Sequence, residues 1–292
     1  MSTKLFIWAA VGFIFLGFVA LIYLFVTNPQ KVEIDTVHLR EANSDRGAYI
    51  FLATGCSNCH VAEGETEKTR LAGGQKFKTD FGVFIAPNIS NSREYGIGGW
   101  KFDDFYTAIK FGQSPEGQHY FPAFPYVAYS KIRDQDIADL WSFWKTLPSI
   151  ETPNVEHEIN FPFNIRRNIG IWKLLYMPKN FVDPIDDRAT YLVEALSHCA
   201  ECHTPRSVMG GLNRSQWMRG AVNPSGQGLI PSIHPSDLGW SEADVIEYLS
   251  SGFTPDFDVA SGKMVAVIEN TSKLSLSDRA LIADYLMRIS ID

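Results

Sequence analysis

Two short stretches of the chain have the residue types and the spacing to hold an iron porphyrin. They read CSNCH at 56–60 and CAECH at 199–203, so each has two cysteines three positions apart with a histidine directly after the second. On a helical turn, positions i, i+3 and i+4 lie on one face. Both thiols can therefore bond the two vinyl groups of one porphyrin while the imidazole points at its iron, which is the attachment pattern of c-type haem.

Three other uses of paired cysteines explain the pattern less well. A four-cysteine zinc site would have to join pairs that lie in opposite halves of the chain, and it would leave both histidines without a role. A thioredoxin-like dithiol usually accompanies a βαβ pattern, which we do not find, and disulfides leave the histidines unexplained. We therefore predict two covalently bound c-type haems. The predicted attachment residues are Cys56, Cys59, Cys199 and Cys202, and the predicted axial iron ligands are His60 and His203.

The surroundings of the two motifs repeat, and the repeat divides the chain. Amphipathic helical patterns lead into both motifs, and APNIS at 86–90 corresponds to IPSIH at 230–234. Four further pairs share one constant offset: Trp100 with Trp240, Asp104 with Asp244, Gly112 with Gly252, and Pro115 with Pro255. Each half closes with an amphipathic helix, the second capped by Ser275 and Asp278. These patterns predict an all-α fold with similar domains at 42–150 and 183–292.

A linker at 151–182 joins the predicted domains. Its central part, FPFNIRRNIGIWKLLYMPKNF at 161–181, mixes apolar and basic residues. We expect a strap that packs between the domains through four side chains: Phe161, Phe163, Trp172 and Leu175. The alternative is a surface that contacts lipid headgroups or a partner subunit, because the segment carries four cations: Arg166, Arg167, Lys173 and Lys179.

The N-terminal segment, 1–30, is predicted to contain a transmembrane anchor. Leu5–Val26 is an uninterrupted run without a charge. As a helix it would be about 33 Å long, against a hydrocarbon core of about 30 Å. A signal peptide usually has an apolar stretch of roughly 7–15 residues, and Val26–Pro29 is a poor cleavage site. We therefore expect an uncleaved single-pass anchor, although the basic residues on its two sides do not set its orientation.

The acidic balance of the chain argues against one class of partner. The formal net charge is −7, with 33 acidic and 26 basic residues. Nucleic-acid binders usually carry a basic footprint, so we expect no nucleic acid. The charge is expected to serve solubility, with a docking face for a basic partner as the alternative.

The sequence offers a candidate for the sixth ligand of the second haem iron. Met264 follows His203 at a distance along the chain and stands just before the closing helix, where a loop can fold over the porphyrin. Methionine at this position raises the reduction potential. We predict Met264 as the sixth ligand of the second haem.

The first haem has no such methionine, because 42–150 contains none and the offset of the repeat places Phe124 at the corresponding position. Three outcomes stay open. His119 is an iron ligand; or a residue from outside the domain, His38, His157 or Met177, reaches the iron; or the iron is five-coordinate, with Phe124 shielding an open face.

Four other residues are placed provisionally around the motifs. His198, next to Cys199, is expected at the porphyrin edge, and His234 at the surface. Arg70 and Arg206 are candidates to pair with haem propionates.

Several of these segments resemble one known family. GCSNCH, PNIS, GIGGW, FPAFPY, HCAECHTPR and the closing GKM…SLSDRALIADYL are similar to the dihaem or multihaem cytochrome c subunits of membrane-bound bacterial dehydrogenases, such as the quinoprotein alcohol dehydrogenases, over residues 42 to 292. The resemblance implies tandem cytochrome c folds that face the periplasm from the bacterial inner membrane. It further implies electron transfer from a dehydrogenase to quinone or a terminal oxidase. The four cysteines, both motif histidines and Met264 match the family, whereas Phe124 and the count of two haems instead of three depart from it.

These observations favour an electron carrier, and we find no nucleophile–base pair in the sequence. The rival hypothesis is a dihaem enzyme with an open first haem that reduces peroxide or oxidises a small sulfur compound. A third possibility is an anchor that docks a separate dehydrogenase or oxidase, with haems that only relay electrons.

Overall fold

The computed structural model describes residues 3–29, 34, 36, 39–226 and 228–289, and it is mostly helical. Its helices are Thr3–Val26 (α1), Ser44–Thr54 (α2), Cys56–His60 (α3), Phe102–Phe111 (α4), Tyr126–Tyr129 (α5), Asp134–Trp144 (α6), Ile169–Tyr176 (α7), Arg188–Thr190 (α8), Ala200–His203 (α9), Pro235–Leu238 (α10), Glu242–Ser251 (α11), Met264–Thr271 (α12) and Leu276–Arg288 (α13). Helix α8 continues as a π-helical stretch, Tyr191–Leu196, and short 3₁₀ turns lie at Arg166–Asn168 and Arg214–Gln216.

The described part of the chain also contains five short strands, which an all-α prediction misses. Lys76–Thr79 (β1), Gly82–Ile85 (β2) and Glu158–Ile159 (β3) form one antiparallel sheet, and Ala221–Val222 (β4) pairs with Leu229–Ile230 (β5). Strands as short as these cannot show an alternating pattern in the sequence. The all-α prediction is therefore correct for the framework and wrong for these hairpins.

Local sequence signals explain where the main helices begin and end. Helix α2 starts at Asn43, whose side chain accepts a hydrogen bond from the Arg46 amide, and ends at Gly55, which has φ of 61°. Helix α13 starts at Ser275, whose hydroxyl accepts from the Asp278 amide, which confirms the predicted cap.

The halves of the chain, 42–150 and 183–292, use the same packing. In the first half α2 packs along α6, and in the second the α8 segment and α11 pack against α13. Gly47 allows the close approach of α2 and α6, since a Cβ there would lie 2.0 Å from the Asp139 carbonyl oxygen. Two predicted apolar stripes lie in these contacts. On α6 the stripe is Ile137, Leu140, Trp141 and Trp144, all buried except the half-buried Trp141, and at α13 it is Ile282, Tyr285, Leu286 and Ile289, all buried.

The two halves share one hydrophobic cluster and exchange reciprocal polar contacts. Tyr49 of α2 donates to Asp278 of α13 over 2.6 Å, and Arg188 pairs with the same carboxylate. At the corresponding positions, Tyr191 donates to Asp136 of α6 over 2.5 Å, and Arg46 pairs with Asp136. Each half thus inserts a tyrosine into the closing helix of the other, as in an isologous contact between two similar bodies.

The linker only partly packs as predicted. Trp172 is buried and Phe163 packs edge-on against Phe81, with ring centroids 4.8 Å apart. Phe161 and Leu175 are 79% and 68% exposed, so their predicted packing is wrong. The short helix α7 buries only one of its faces, which contains Ile169, Gly170 and Trp172.

Helix α1 stands apart from the core. Phe6–Val26 has a mean hydropathy of 2.6, none of it is buried, and it is long and apolar enough to cross a membrane. Its C-terminal end, however, is docked, because Thr27 is fully buried.

Candidate haem-attachment sites

The first motif is held at a tight turn between two helices. Gly55 ends α2 in the left-handed conformation, and the chain continues at once into α3 with Cys56. Cys56 is half-buried and Cys59 is exposed, and both are free thiols. Burial raises the pKa of Cys56 to about 11, so this thiol is protonated at neutral pH and lacks the low pKa of a redox-active cysteine.

The orientation of His60 fits it for iron ligation. Its Nδ1 lies 2.8 Å from the carbonyl oxygen of Pro87, so Nδ1–H donates and the lone pair is left on Nε2. Burial lowers its pKa, which favours the neutral imidazole that binds metals. The backbone is fixed too, since the His60 carbonyl accepts from the Gly73 amide over 2.7 Å.

The second motif repeats this setting. The Nδ1 of His203 lies 2.8 Å from the Pro231 carbonyl oxygen, burial lowers its pKa, and its own carbonyl accepts from the Gly220 amide over 2.7 Å. His198, with φ of 39°, occupies the turn position that Gly55 occupies in the first motif. Cys199 is half-buried with its pKa raised to about 12, and Cys202 is exposed.

These donor sets fit a c-type haem and not a zinc ion or a disulfide. Each motif offers two free thiols and a neutral imidazole with an available Nε2. Among the described residues, no three His, Cys, Asp or Glu side chains converge on a common metal position.

A hydrogen-bonded bridge connects the segments that precede the two motifs. Tyr129 is buried between them, and its hydroxyl donates to the Thr54 carbonyl, just before Cys56, over 2.8 Å. The Nε2 of His198, next to Cys199, lies 3.0 Å from the same hydroxyl. The position of His198 beside the second motif agrees with its predicted neighbourhood, but its contact to the first half was not predicted.

Met264 begins helix α12 and is half-buried against the shared core. Helix α12 also touches the first motif, because the side chains of Asn270 and Asn58 bond over 2.8 Å. Next to Met264, Lys263 donates to Gln75, which in turn donates to the Val61 carbonyl just after the motif. The segment predicted to cap the second haem thus packs against the attachment turn of the first.

His119 is not free to bind iron where the structure places it. Its Nε2 lies 3.0 Å from the Thr27 carbonyl oxygen and its Nδ1 lies 3.1 Å from the Lys173 ammonium. Nε2 therefore donates and Nδ1 accepts, which leaves no lone pair for a metal. His119 is also buried.

The other candidates for the first iron stay predictions, and the structure describes two of them, His157 and Met177. His157 accepts a hydrogen bond on Nδ1 from the Ile85 amide and packs against the rings of Phe84 and Phe121. Met177 is half-buried at the end of α7, and His38 lies outside the described residues.

Phe124 lies in a group of aromatic rings. Its ring centroid is 5.7 Å from that of Tyr129 and 6.1 Å from those of Tyr120 and Tyr126. The Tyr126 hydroxyl is buried, and among the described residues it has no hydrogen-bond partner. An unpartnered buried hydroxyl is costly, so a polar group of a bound ligand would stabilise it.

One provisional assignment differs from the structure, and the propionate roles of Arg70 and Arg206 stay predictions. His234 is 6% exposed and caps α10, so its predicted surface position is wrong. Arg70 pairs with Glu65 and Arg206 with Glu201, over 2.8 and 2.6 Å, which gives both guanidinium groups a protein partner. The functional residues that sequence reasoning missed are Pro87 and Pro231, although the matched segments APNIS and IPSIH contain both.

Known proteins are similar to this chain in sequence. The cytochrome c family model matches residues 44–148. A diheme cytochrome c-type protein of Cereibacter sphaeroides is 45% identical over 273 residues, which cover 91% of this chain and 92% of that protein. The fructose dehydrogenase cytochrome subunit of Gluconobacter japonicus is 33% identical, over 89% of this chain and 55% of its own length. The cytochrome c subunit of alcohol dehydrogenase (quinone) of Gluconobacter oxydans is 29% identical, over 88% and 57%.

The chain therefore spans a little over half of those two dehydrogenase subunits and nearly all of the diheme relative. The resemblance to cytochrome subunits of membrane dehydrogenases, drawn from the motifs, is confirmed. With two C-x-x-C-H turns that each present a neutral imidazole, and with these matches, the chain belongs to the cytochrome c family, whose cofactor is c-type haem and whose role is electron transfer.

Proposed function

We propose that this chain is a membrane-tethered dihaem cytochrome that carries electrons from a dehydrogenase to quinone or a terminal oxidase. The observation that carries the proposal is the pair of matching settings at His60 and His203, each with Nδ1–H on a proline carbonyl. The assignment of one haem to each of the predicted domains, 42–150 and 183–292, rests on the same pair.

The residues of the chain have separate tasks in this proposal. When bound, each haem supplies reversible one-electron chemistry at its iron. Cys56 and Cys59 hold one porphyrin, and Cys199 and Cys202 hold the other. The proline carbonyls fix the imidazole planes and raise ligand basicity, as outer-sphere partners of metal-bound histidines do.

The two haem sites are proposed to differ in the residue that lies opposite the motif histidine. Met264 would donate its thioether to the second haem, which would favour the reduced iron and a higher potential. Phe124 would cover the first haem without donating a ligand, since both nitrogens of His119 have other partners. His119 is therefore not retained as a ligand.

The membrane tether is proposed from α1, and the dehydrogenase partner from the relatives. Two relatives are named as cytochrome subunits of fructose dehydrogenase and of alcohol dehydrogenase (quinone). Haem is attached outside the cytoplasm in this class, so the proposed location is the periplasmic side of the bacterial inner membrane. The partner is proposed to be the catalytic subunit of such a complex.

Purification of the full chain from detergent-solubilised membranes of its native host tests this function. We expect a dehydrogenase subunit to copurify in a stoichiometric amount, and addition of its substrate to reduce both haems. A chain that is recovered from the soluble fraction and purifies alone would contradict the proposal.

A second candidate function follows from the first iron site alone. With Phe124 at the position of the expected methionine, an open iron could bind peroxide or a small sulfur compound. Carbon monoxide separates the two functions, because a carrier with shielded irons keeps its reduced spectrum. Rapid formation of a carbon monoxide adduct at one haem, together with peroxide turnover, would favour the enzyme.

A further inference from the structure

The linker exposes an apolar surface that the fold leaves uncovered. Ile171, Leu174 and Leu175 follow one side of α7 and are 41%, 70% and 68% exposed. Val208 and Met209 lie on a loop held against the same helix, and they are 92% and 49% exposed. We call these five residues the linker patch. A cluster of exposed apolar side chains of this kind usually marks an interaction surface.

The loop and the helix of the linker patch are fastened to each other. Trp172 donates its indole N–H to the Met209 carbonyl over 2.9 Å. Ser207 and Tyr176 bond through their hydroxyls over 3.1 Å. Gly211 lets the Tyr176 ring approach, since a Cβ at that position would lie 2.0 Å from a ring atom. The patch is therefore a feature of the packed structure and does not depend on a free loop.

The linker also holds the end of the apolar helix α1. Arg167 donates to the Leu24 carbonyl over 2.8 Å and to the Thr27 hydroxyl over 2.9 Å. Tyr23 donates to the Asn168 side chain over 2.7 Å. Gly170 packs directly on Thr27, because a Cβ there would lie 2.7 Å from the Thr27 Cα. The start of α7 therefore lies at the point where α1 ends.

The charge of the segment differs from that of the chain. Residues 159–182 contain no Asp or Glu, in a protein with a formal net charge of −7. The same segment carries Arg166, Arg167 and Lys179, whereas the ammonium of Lys173 is turned inward onto the carbonyls of Phe111 and Gly112. Basic residues beside a membrane span are attracted to anionic lipid headgroups.

We propose that the linker patch lies in the headgroup–acyl boundary of the lipid bilayer, on the side where α1 ends. The proposal rests on the proposed anchoring by α1. Continuity with the end of α1 and the basic, acid-free segment both select a lipid surface as the occupant. Interfacial helices bind in this way, with the apolar face in the boundary and basic residues at the headgroups. Two fixed contacts, α1 and the patch, would hold the haem sites at a set height and orientation above the membrane.

Photo-crosslinking of the haem-loaded full chain tests this placement. The chain is reconstituted in nanodiscs of phosphatidylethanolamine and phosphatidylglycerol, and single cysteines are introduced at exposed positions and labelled with benzophenone maleimide. L174C probes the patch and F13C probes the anchor. F257C, at a side chain that is 96% exposed in the second half, is the aqueous control. The haem absorption spectrum verifies that each variant is folded.

We expect L174C to give about ten-fold more phospholipid adduct by mass spectrometry than F257C, because an interfacial side chain is in contact with lipid. Lipid adducts at F13C but not at L174C would overturn the proposal and leave the anchor intact. Absence of lipid adducts at F13C would instead show that the proposed anchoring fails. A cross-linked dimer through L174C would assign the patch to a second copy and also overturn the proposal.

Discussion

His60 and His203 have the ring hydrogen bonding that an axial iron ligand needs. Each has one nitrogen committed to a backbone carbonyl, which leaves the other with its lone pair. His119 has both nitrogens committed, and it illustrates the opposite case. Histidine count alone therefore cannot identify ligands, whereas the partners of the two ring nitrogens can.

Replacement of Met264 tests the ligand of the second haem. We expect Met264→Leu to abolish the methionine-to-iron charge-transfer absorption of the oxidised protein and to lower the potential of one haem, because the sixth ligand is lost. Optical redox titration measures both. Met209→Leu, at an exposed methionine, is the matched control and should change neither. Survival of the absorption band in Met264→Leu would assign the ligand elsewhere.

Replacement of His119 tests the first haem. We expect His119→Ala to leave the haem spectrum unchanged, since neither ring nitrogen is available to iron. It should lower the free energy of unfolding by about 1–3 kcal/mol, because it removes the donor to the buried Thr27 carbonyl. Absorption spectroscopy and chemical denaturation give the two readouts. A new high-spin haem signal in this variant would restore His119 as a ligand.

At the scale of elements, the closing helices α6 and α13 join the halves through one exchanged tyrosine each. Both acceptors, Asp136 and Asp278, are buried, and each is held by one tyrosine hydroxyl and one arginine.

The exchanged tyrosines are expected to stabilise the junction. Tyr49→Phe and Tyr191→Phe should each cost about 1.5–3 kcal/mol of unfolding free energy, the range for a hydrogen bond to a charged group. Tyr248→Phe is the control, since its hydroxyl has no hydrogen-bond partner within the described residues, and it should cost less than about 0.5 kcal/mol. Equal losses in all three variants, measured by chemical denaturation, would refute the reciprocal contact.

The ion pair between Arg288, at the end of α13, and Asp187 is expected to make stability depend on pH. Hydrogen bonds from Arg288 hold the pKa of Asp187 far below its usual range. A depressed carboxyl pKa stabilises the fold above the unfolded pKa of about 3.9 and loses that contribution as the pH falls further. We expect wild type to lose more stability than Asp187→Asn between pH 5 and pH 3, by at most about 1 kcal/mol for this partly exposed pair. An equal loss in both proteins would rule out the pair as the cause.

At the scale of the whole molecule, the sequence repeat predicts much of the site but little of its assembly. The motif turns, the Ser275 cap and the apolar stripes of α6 and α13 all follow from local spacing. The proline carbonyls are backbone groups, which side-chain patterns do not reveal. The Tyr129–His198 bridge joins residues from different halves, so it depends on how the halves pack.

The sequence also does not predict which apolar side chains of the linker are buried. Composition cannot tell which of its large side chains are covered, because Trp172 and Leu175 are equally suited to a core. The orientation of the short helix α7 in the folded chain buries Trp172 and leaves Leu175 exposed. The predicted boundaries at 42–150, 151–182 and 183–292 stay predictions.

The central claim is that each half of the chain holds one covalently attached haem. Intact mass spectrometry of the full chain, matured in a host that attaches c-type haem, tests it most directly. We expect the mass of the polypeptide plus two haem groups, and plus one group in each of the variants Cys56→Ala/Cys59→Ala and Cys199→Ala/Cys202→Ala. A wild-type mass with one haem or none, or a double variant that still carries two, would contradict the account.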